Sequence, residues 1–309
     1  MSATLSKTIK EKGMDDIFTE VPCPDNLGLS KPGQLRLFHL RILDGEFYHA
    51  DLEKWLYRNL SRYVFSRARL EQFKKDDDLE TAVAQAMQTM KHNGAIDTKG
   101  IGNELGEMLI YAFLEGKLSA PKLMSRVELF TDFSRYKSVC EGIHLLPKGA
   151  SHLPFNQVVF GTSSIIGDIR DAVDSVFEEI VHIKENKTSE IQMVEKTSLE
   201  ISASDEEIEF LKSIIVPEHK KKDYNTAFGI FLGYTIGVRE ESHPEMDYEE
   251  LVVAKMAEDI RHHSKYIADK IKEKHLTSHS FYVYILPFMD AETNKIEIME
   301  HVVEGAVSL

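Results

Sequence analysis

The sequence predicts an α/β or α+β fold in which helices flank a mixed central β-sheet. The middle of the chain has the pattern of a helix, three strand-like segments and a second helix. Two apolar strand-like segments come later, and a long amphipathic helix separates them. Strands that alternate with helices, together with a group of strands joined by short connectors, are typical of a sheet covered by helices.

The N-terminal part is predicted to hold one strand followed by helices. Residues 35–43, LRLFHLRIL, alternate between apolar and polar side chains, as a half-buried strand does. Residues 51–75 carry apolar residues at helical intervals, with Asp51 placed to cap the helix, and the next helix stops at Gly94. We therefore divide the chain into an N-terminal strand and helical portion, residues 1–95, and an α/β core, residues 96–309, that includes the C-terminal helix and strand.

The middle elements are predicted in the order helix, strand, strand, strand, helix. The first helix spans residues 101–118 and is interrupted near Gly116. The segments LMSRVELF, KSVCEGIHLL and FNQVVFG are the strands. The sequence GTSS then forms a corner, and the second helix runs from Ser163 to about Ile183. Residues 184–205 are polar and are expected to form an exposed connector.

The C-terminal part is predicted to end on a strand. A short helix precedes Pro217, and residues 227–238 form an apolar, glycine-containing buried strand. A long helix follows in residues 247–276, and the segment SFYVYILPFM is the final strand.

The charge of the chain limits its partners. With 37 Lys plus Arg against 51 Asp plus Glu, the formal net charge is −14, so most of the surface should repel a nucleic acid. The excess of acid favours solubility, and it also suits docking onto a basic partner protein. No run of about 18 apolar residues is present, so we expect a cytoplasmic protein that does not enter a membrane.

Acidic residues in the middle are the main candidates for chemistry. Glu104 and Glu107 lie three residues apart on one helix face. Glu141 lies in a strand-like segment among apolar residues, where a carboxylate needs a partner, a metal or a strand end. The alternative is that Glu141 lies in water and that Glu107 pairs with a surface base. Spacing does not decide between these interpretations.

The order of elements and acids resembles the core of the PD-(D/E)xK nucleases. More specifically, the helix LGEMLIY, the strand CEGIHLL, the segment VVFG and the closing strand FYVYILPF resemble the nuclease subunit of the Hachiman anti-phage defence system. The resemblance covers roughly residues 95–290. It implies a PD-(D/E)xK-like core and a subunit that works with a superfamily 2 DNA helicase and cleaves DNA with Mg²⁺.

The resemblance assigns site residues, but it also shows a departure. Glu104 or Glu107 corresponds to the helix acid, Glu141 to the first strand acid and Gly161 to the glycine of Gly-Glu-x-Lys. Thr162, Ser163 and Ser164 then replace the second acid and the lysine. Hydroxyl groups supply neither a carboxylate's charge to Mg²⁺ nor an ammonium to phosphate, so the usual nuclease site is altered.

Neighbouring residues offer replacements, each with a structural alternative. Lys137 faces the same side of its strand as Glu141, or is a solvated charge at the strand start. Asp168 is either a further metal ligand or an acid at a helix N-terminus. His144 either contacts phosphate or fills the strand edge. The backbone of GTSS would bind phosphate at a helix N-terminus, whereas the serines alone would cap that helix.

Of two functions that these observations leave open, the first is favoured because two parts of the acidic site persist in the expected order. The first is a metal-dependent DNase of the defence system, with Glu104, Glu107, Glu141 and Lys137 at its catalytic site. In that interpretation Asp168 adds to the Mg²⁺ ligands Glu104, Glu107 and Glu141, and the DNA meets Gly161, Thr162, Ser163, Ser164 and His144. The second is a catalytically degenerate subunit that binds and regulates the helicase complex, and reaches DNA through that complex.

Overall fold

The structure is a computed structural model that describes most of the chain. The described residues are 5–29, 33–96, 102–125, 127, 140–150, 153–201, 204–215, 224–238 and 247–307.

The described segments contain both helices and strands. The helices are α1 (Met14–Ile17), α2 (His49–Val64), α3 (Arg67–Lys75), α4 (Leu79–Ile96), α5 (Glu104–Gly116), α6 (Ile169–Ile201), α7 (Asp205–Ile215), α8 (Tyr248–Glu273) and α9 (Ala291–Glu304). The strands are β1 (Phe18–Val21), β2 (Gly33–Leu40), β3 (Ile42–Leu43), β4 (Glu46–Phe47), β5 (Lys122–Ser125), β6 (Gly142–Leu146), β7 (Asn156–Ile165), β8 (Tyr224–Thr235) and β9 (Ser280–Phe288).

Seven strands form one mixed sheet in the order β1-β2-β9-β8-β7-β6-β5. The central strands β2, β9, β8 and β7 are parallel, whereas β1 at one end and β6 and β5 at the other pair antiparallel. The predicted mixed sheet flanked by helices is therefore confirmed. Since β7, β8 and β9 are buried along nearly their whole length, their apolar runs fit a sheet that is covered on both faces.

Two helices cover opposite faces of the sheet. On one face, Phe113 of α5 stacks on Phe231 and Tyr284, with ring centroids 5.8 and 5.0 Å apart. On the other face, Phe177 of α6 lies 6.3 Å from Phe281. These aromatic contacts fix the two helices on the central strands, because each buries a large apolar surface.

A buried carboxylate ties the N-terminal segment to this core. Glu115 of α5 is fully buried and accepts hydrogen bonds from the backbone N–H groups of Thr8 (2.9 Å), Ile9 (2.7 Å) and Lys122 (2.6 Å). The hydroxyl of Thr8 donates a further bond of 2.9 Å. The ammonium of Lys122 in turn donates to the carbonyl oxygens of Arg62, Tyr63 and Phe65 at the end of α2. Donated bonds of this kind satisfy carbonyls that a helix end leaves without partners.

The N-terminal helix predicted over residues 51–75 is two helices. Ser66 separates α2 from α3 and caps α3, because its hydroxyl accepts a bond from the N–H of Arg69 at 3.2 Å. Asp51 lies within the first turn of α2, and Tyr48 occupies the cap position. The prediction of Asp51 as the N-cap was therefore wrong. An acid in the first turn still interacts favourably with the positive end of the helix dipole.

Two further expectations about helices were wrong. The helix α6 does not stop near Ile183, since it continues to Ile201 through the segment expected to be a connector. It needs few apolar residues there, and Ile191 and Val194 supply a buried side. The final strand is also followed by the helix α9, which the sequence analysis did not predict.

The strands β1 and β2 of the N-terminal portion belong to the same sheet as the later strands. The division between residues 95 and 96 stays a prediction. None of the described helices is both long and apolar enough to span a membrane.

We expect Glu115→Gln to lower the free energy of unfolding by about 2–4 kcal/mol. The amide cannot accept all the bonds that the two carboxylate oxygens accept, and it places an NH₂ group against backbone N–H donors in a buried site. Urea unfolding measures this loss. The control is Glu11→Gln, which removes a surface ion pair with Lys7 and should change stability by less than about 0.5 kcal/mol. Equal small effects for both variants would contradict the structural role of Glu115.

Candidate functional site

The residues that replace the nuclease motif lie inside a strand. Gly161, Thr162, Ser163 and Ser164 belong to β7, which pairs with β8 as far as Ile165, and α6 begins only at Ile169. The predicted corner and the predicted start of a helix at Ser163 were therefore wrong. Neither serine caps a helix, and the segment GTSS is not a helix N-terminus for phosphate.

Glu141 lies beside this segment, directly before the neighbouring strand β6, so the prediction that it lies within a strand was wrong. Its backbone N–H donates to the carbonyl of Gly161 at 3.0 Å, and the next residue, Gly142, pairs with Gly161. If this antiparallel register is continued by one residue, Glu141 comes beside Thr162. The Glu141 side chain is buried, with 4% of its surface exposed. This is the position at which the resemblance expects two acids side by side.

A cavity of about 370 Å³ lies at this end of β7. Glu141, Ser163 and Ser164 line it together with Asn103 and Gly106 from the start of α5. The other walls come from α6 and α9, through Ser175, Glu179, Glu292 and Lys295. The end of β7, the start of α5 and the residue before β6 therefore meet in space.

The two acids of α5 are buried, and their described contacts lie outside the cavity lining. Glu104 accepts a bond from the backbone N–H of Gly102 at 3.1 Å. Glu107 accepts a bond of 2.6 Å from the phenol of Tyr63 on α2. The residues of this turn that line the cavity are Asn103 and Gly106. The roles of Glu104 and Glu107 as metal ligands stay predictions.

A close contact between α5 and β7 sets the shape of the cavity. A methyl group added at Gly106 would lie 2.3 Å from the hydroxyl oxygen and 3.0 Å from the Cβ of Ser163. Any side chain at residue 106 would require Ser163 to move, because the helix approaches the strand closely at this point. The small side chain of Ser163 contributes to the same fit.

Lys295 of α9 is a site residue that the sequence analysis missed. Its side chain is largely buried, donates to the carbonyl of Ile165 at 3.0 Å and forms a 2.6 Å ion pair with Glu292. Lys295 thus brings an ammonium group to the end of β7, one residue beyond the serine that replaces the expected lysine. No local motif marks Lys295. Tyr63, the partner of Glu107, was also missed because α2 lies far away in sequence.

The other predicted site residues have varied surroundings. His144 is buried, and its Nδ1 donates to the carbonyl of Ala120 at 2.9 Å. The carboxylate of Asp168 accepts from the N–H groups of Arg170 (2.7 Å) and Asp171 (3.3 Å) at the start of α6. Thr162 is buried, and its hydroxyl has no hydrogen-bond partner among the described residues. Lys137 lies outside the described residues.

The described side chains do not fit a Mg²⁺ site. Across the described ranges, no group of three or more His, Cys, Asp and Glu residues is placed to hold a metal ion. Beside Glu141 stands the neutral Thr162, whereas Mg²⁺ in proteins takes carboxylates in near-octahedral geometry. The requirement for Mg²⁺ stays a prediction from the resemblance.

The fold and the site define a class of protein: an α/β protein with a mixed sheet, in which an acid (Glu141) and a lysine (Lys295) line a cavity at the end of the strand β7. The model of the HamA family matches residues 15–302. The chain therefore belongs to the HamA family, and its role lies in Hachiman anti-phage defence. No curated protein and no solved structure is significantly similar to the chain.

We expect Gly106→Ala to destabilise the protein by about 1–3 kcal/mol, as overpacking of a tight contact does. Urea unfolding measures the change. In the double variant Gly106→Ala/Ser163→Gly, removal of the opposing side chain should recover part of the loss. Gly167→Ala is the control, because its added methyl would meet Thr235 at an ordinary 3.7 Å. A Gly106→Ala protein as stable as the unchanged protein would show that α5 and β7 are not in this contact.

We expect His144 to make stability depend on pH. Burial lowers its pKa to about 4, against a raising effect of Glu115 and further lowering effects of Lys122 and Arg67. The unfolded chain therefore binds a proton near pH 6.5 while the folded protein stays neutral at this residue. The resulting stability is fully present above about pH 6.5 and is lost as the pH falls towards 4.

The measurement is the free energy of unfolding between pH 7 and pH 4.5 for the unchanged protein and for His144→Asn. The unchanged protein should lose up to about 3 kcal/mol more than the variant over this range. Parallel curves for the two proteins would mean that His144 is not held neutral in the folded state.

Proposed function

We propose that this HamA-family chain serves Hachiman defence by binding, and that it does not itself cut DNA. In this proposal it is the partner of a superfamily 2 DNA helicase and contacts DNA as part of that complex. The observation that carries the proposal is that the neutral Thr162 follows Gly161, whose carbonyl accepts from the N–H of Glu141, at the point where a nuclease of the resembled type has a second acid.

The chemistry of the strand end supports the absence of cleavage. Polarisation of a phosphodiester needs concentrated charge, and a buried threonine hydroxyl supplies none. Ser164 likewise offers no ammonium to the phosphate. Because Thr162 is 1% exposed, its hydroxyl also has little access to a ligand in the cavity.

The charge of the chain supports a basic partner. A formal net charge of −14 favours association with a positively charged protein surface, such as that of a DNA-binding helicase. DNA contact by the chain alone would then have to be local, while the partner supplies most of the attraction for DNA.

DNA cleavage is the second candidate, and Lys295 is the observation that favours it. The ammonium of Lys295 and the carboxylate of Glu141 line the same cavity, so a lysine from α9 would stand in for the one missing from β7. In this candidate Glu141 and Lys295 are the catalytic pair, and the predicted roles of Glu104, Glu107 and Mg²⁺ belong to it.

The test uses the complex of the chain with a superfamily 2 DNA helicase of the same defence system. The complex is incubated with ATP, Mg²⁺ or Mn²⁺, and plasmid, linear duplex or single-stranded DNA. We expect a stable complex that binds DNA and leaves it intact. Glu141→Gln and Lys295→Met should retain helicase binding and DNA binding to within about threefold, because neither residue acts on DNA chemically.

DNA cleavage by the complex would contradict the proposal, and the two variants then show where the cleavage takes place. DNA cutting that falls about 100-fold or more in both Glu141→Gln and Lys295→Met, but not in the surface control Glu11→Gln, would establish the second candidate. Cutting that survives both variants would place a nuclease elsewhere in the complex. A chain that fails to bind the helicase would contradict the proposed partner.

A further inference from the structure

A second cavity, of about 660 Å³, lies between the N-terminal segment and the helix α2. It shares no lining residue with the cavity at the end of β7. We call it the basic groove and define it by the residues that matter for its chemistry: Lys10, Lys12, Arg58, Arg62, Asp16 and Tyr57. Four of these are cations and one is an acid, in a chain whose overall charge is strongly negative.

Three of the four cations are available to a ligand. The side chains of Lys10, Lys12 and Arg58 are exposed, and they make no ion pair or hydrogen bond with any described residue. Two neighbouring acids are engaged elsewhere, since Glu11 pairs with Lys7 at 2.6 Å and Asp15 pairs with Lys117. Asp16 is the one acid of the groove as defined above, so four cations face one carboxylate and the groove keeps a net positive charge.

The walls of the groove are held in place by buried contacts. The amide of Asn59, which is 1% exposed, bonds both the N–H of Lys10 (2.8 Å) and its carbonyl (3.3 Å). Arg62 donates to the carbonyl of Thr8 at 3.0 Å. The N-terminal wall is therefore fixed against α2 before any ligand binds, which reduces the entropy lost on binding.

We propose that the basic groove binds a single-stranded nucleic acid through its phosphates. Exposed Lys and Arg side chains in a concave surface match a row of phosphodiesters, and the half-buried ring of Tyr57 offers a surface against which a base packs. Cavities of about 300–1,000 Å³ enclose groups the size of one or two nucleotides, which favours a single strand over a duplex. This proposal stands whether or not the chain cleaves DNA.

The groove is also connected to the first site through one helix. Arg58 and Arg62 lie one turn apart on α2 and both line the groove. The next residue, Tyr63, donates to Glu107 at the start of α5. A nucleic acid held in the groove would therefore bind to the same helix that contacts Glu107.

The test measures binding of a fluorescein-labelled 20-nucleotide oligothymidine to the purified full chain by anisotropy, over a series of salt concentrations. The variant is Lys12→Glu/Arg58→Glu, which leaves the Arg62 and Asn59 contacts in place. The control is Arg261→Glu/Lys265→Glu, two exposed cations on α8 with the same change in charge. Urea midpoints confirm that each protein is folded.

We expect the groove variant to bind at least about tenfold more weakly and the control to stay within about threefold of the unchanged protein. The slope of log K against log salt should fall by about 1.4 in the groove variant, for two lost phosphate contacts at about 0.7 each. Equal losses in both variants would overturn the proposal, as would an unchanged protein that does not bind at low salt.

Two competitors test the identity of the occupant. Unlabelled duplex of the same length should displace the probe at least about tenfold less well than unlabelled oligothymidine. Polyglutamate of matched charge should also compete poorly, because it lacks bases and tetrahedral phosphates. Equal competition by duplex would overturn the preference for a single strand, and equal competition by polyglutamate would indicate an acidic polypeptide instead.

Discussion

The carboxylate of Glu115 is the interaction on which the arrangement of the N-terminal half depends. It accepts three backbone N–H bonds from two segments, the start of β5 at Lys122 and the distant coil at Thr8 and Ile9. Lys122 then holds the end of α2 through three carbonyl oxygens. Buried charges cost free energy unless they are fully bonded, so these segments must come together in one arrangement. Both the basic groove and the Tyr63–Glu107 contact are built on the helix that this arrangement positions.

Much of the fold follows from patterns within short windows of sequence. Alternating and apolar runs identified β2, β8 and β9, and helical spacing identified α5 and α8. The boundaries failed where tertiary contacts override local preference. The segment GTSS has the composition of a turn, yet it stays extended because β8 pairs with it as far as Ile165. The polar end of α6 and the whole of α9 each bury only one side of the helix. The few apolar residues on that side give a weak helical pattern in a short stretch of sequence, so neither the end of α6 nor α9 was predicted.

The site was predictable only in part, for the same reason. Glu141 was visible because a carboxylate interrupts an apolar segment, and Glu104 and Glu107 were visible because they lie three residues apart on one helix face. Lys295 could not be found in this way, since its carbonyl partner Ile165 belongs to a strand 130 positions earlier in the chain. Gly106 could be read as an ordinary helix residue until the distance to Ser163 was known. Side chains that come into contact only through folding have no fixed spacing in the sequence by which they could be recognised.

The parallel pairing of β2 with β9 has a consequence for how the chain is made. Gly33 lies beside Phe281, so β1 and β2 can pair only with each other until the residues of β9 have been synthesised. Until then, the edge of β2 presents unpaired N–H and C=O groups to other chains. Sheets with such distant pairings fold slowly, because a long loop must close before its contacts form. Newly made protein is thus exposed to aggregation for longest at this strand, and molecular chaperones would have the most to protect there.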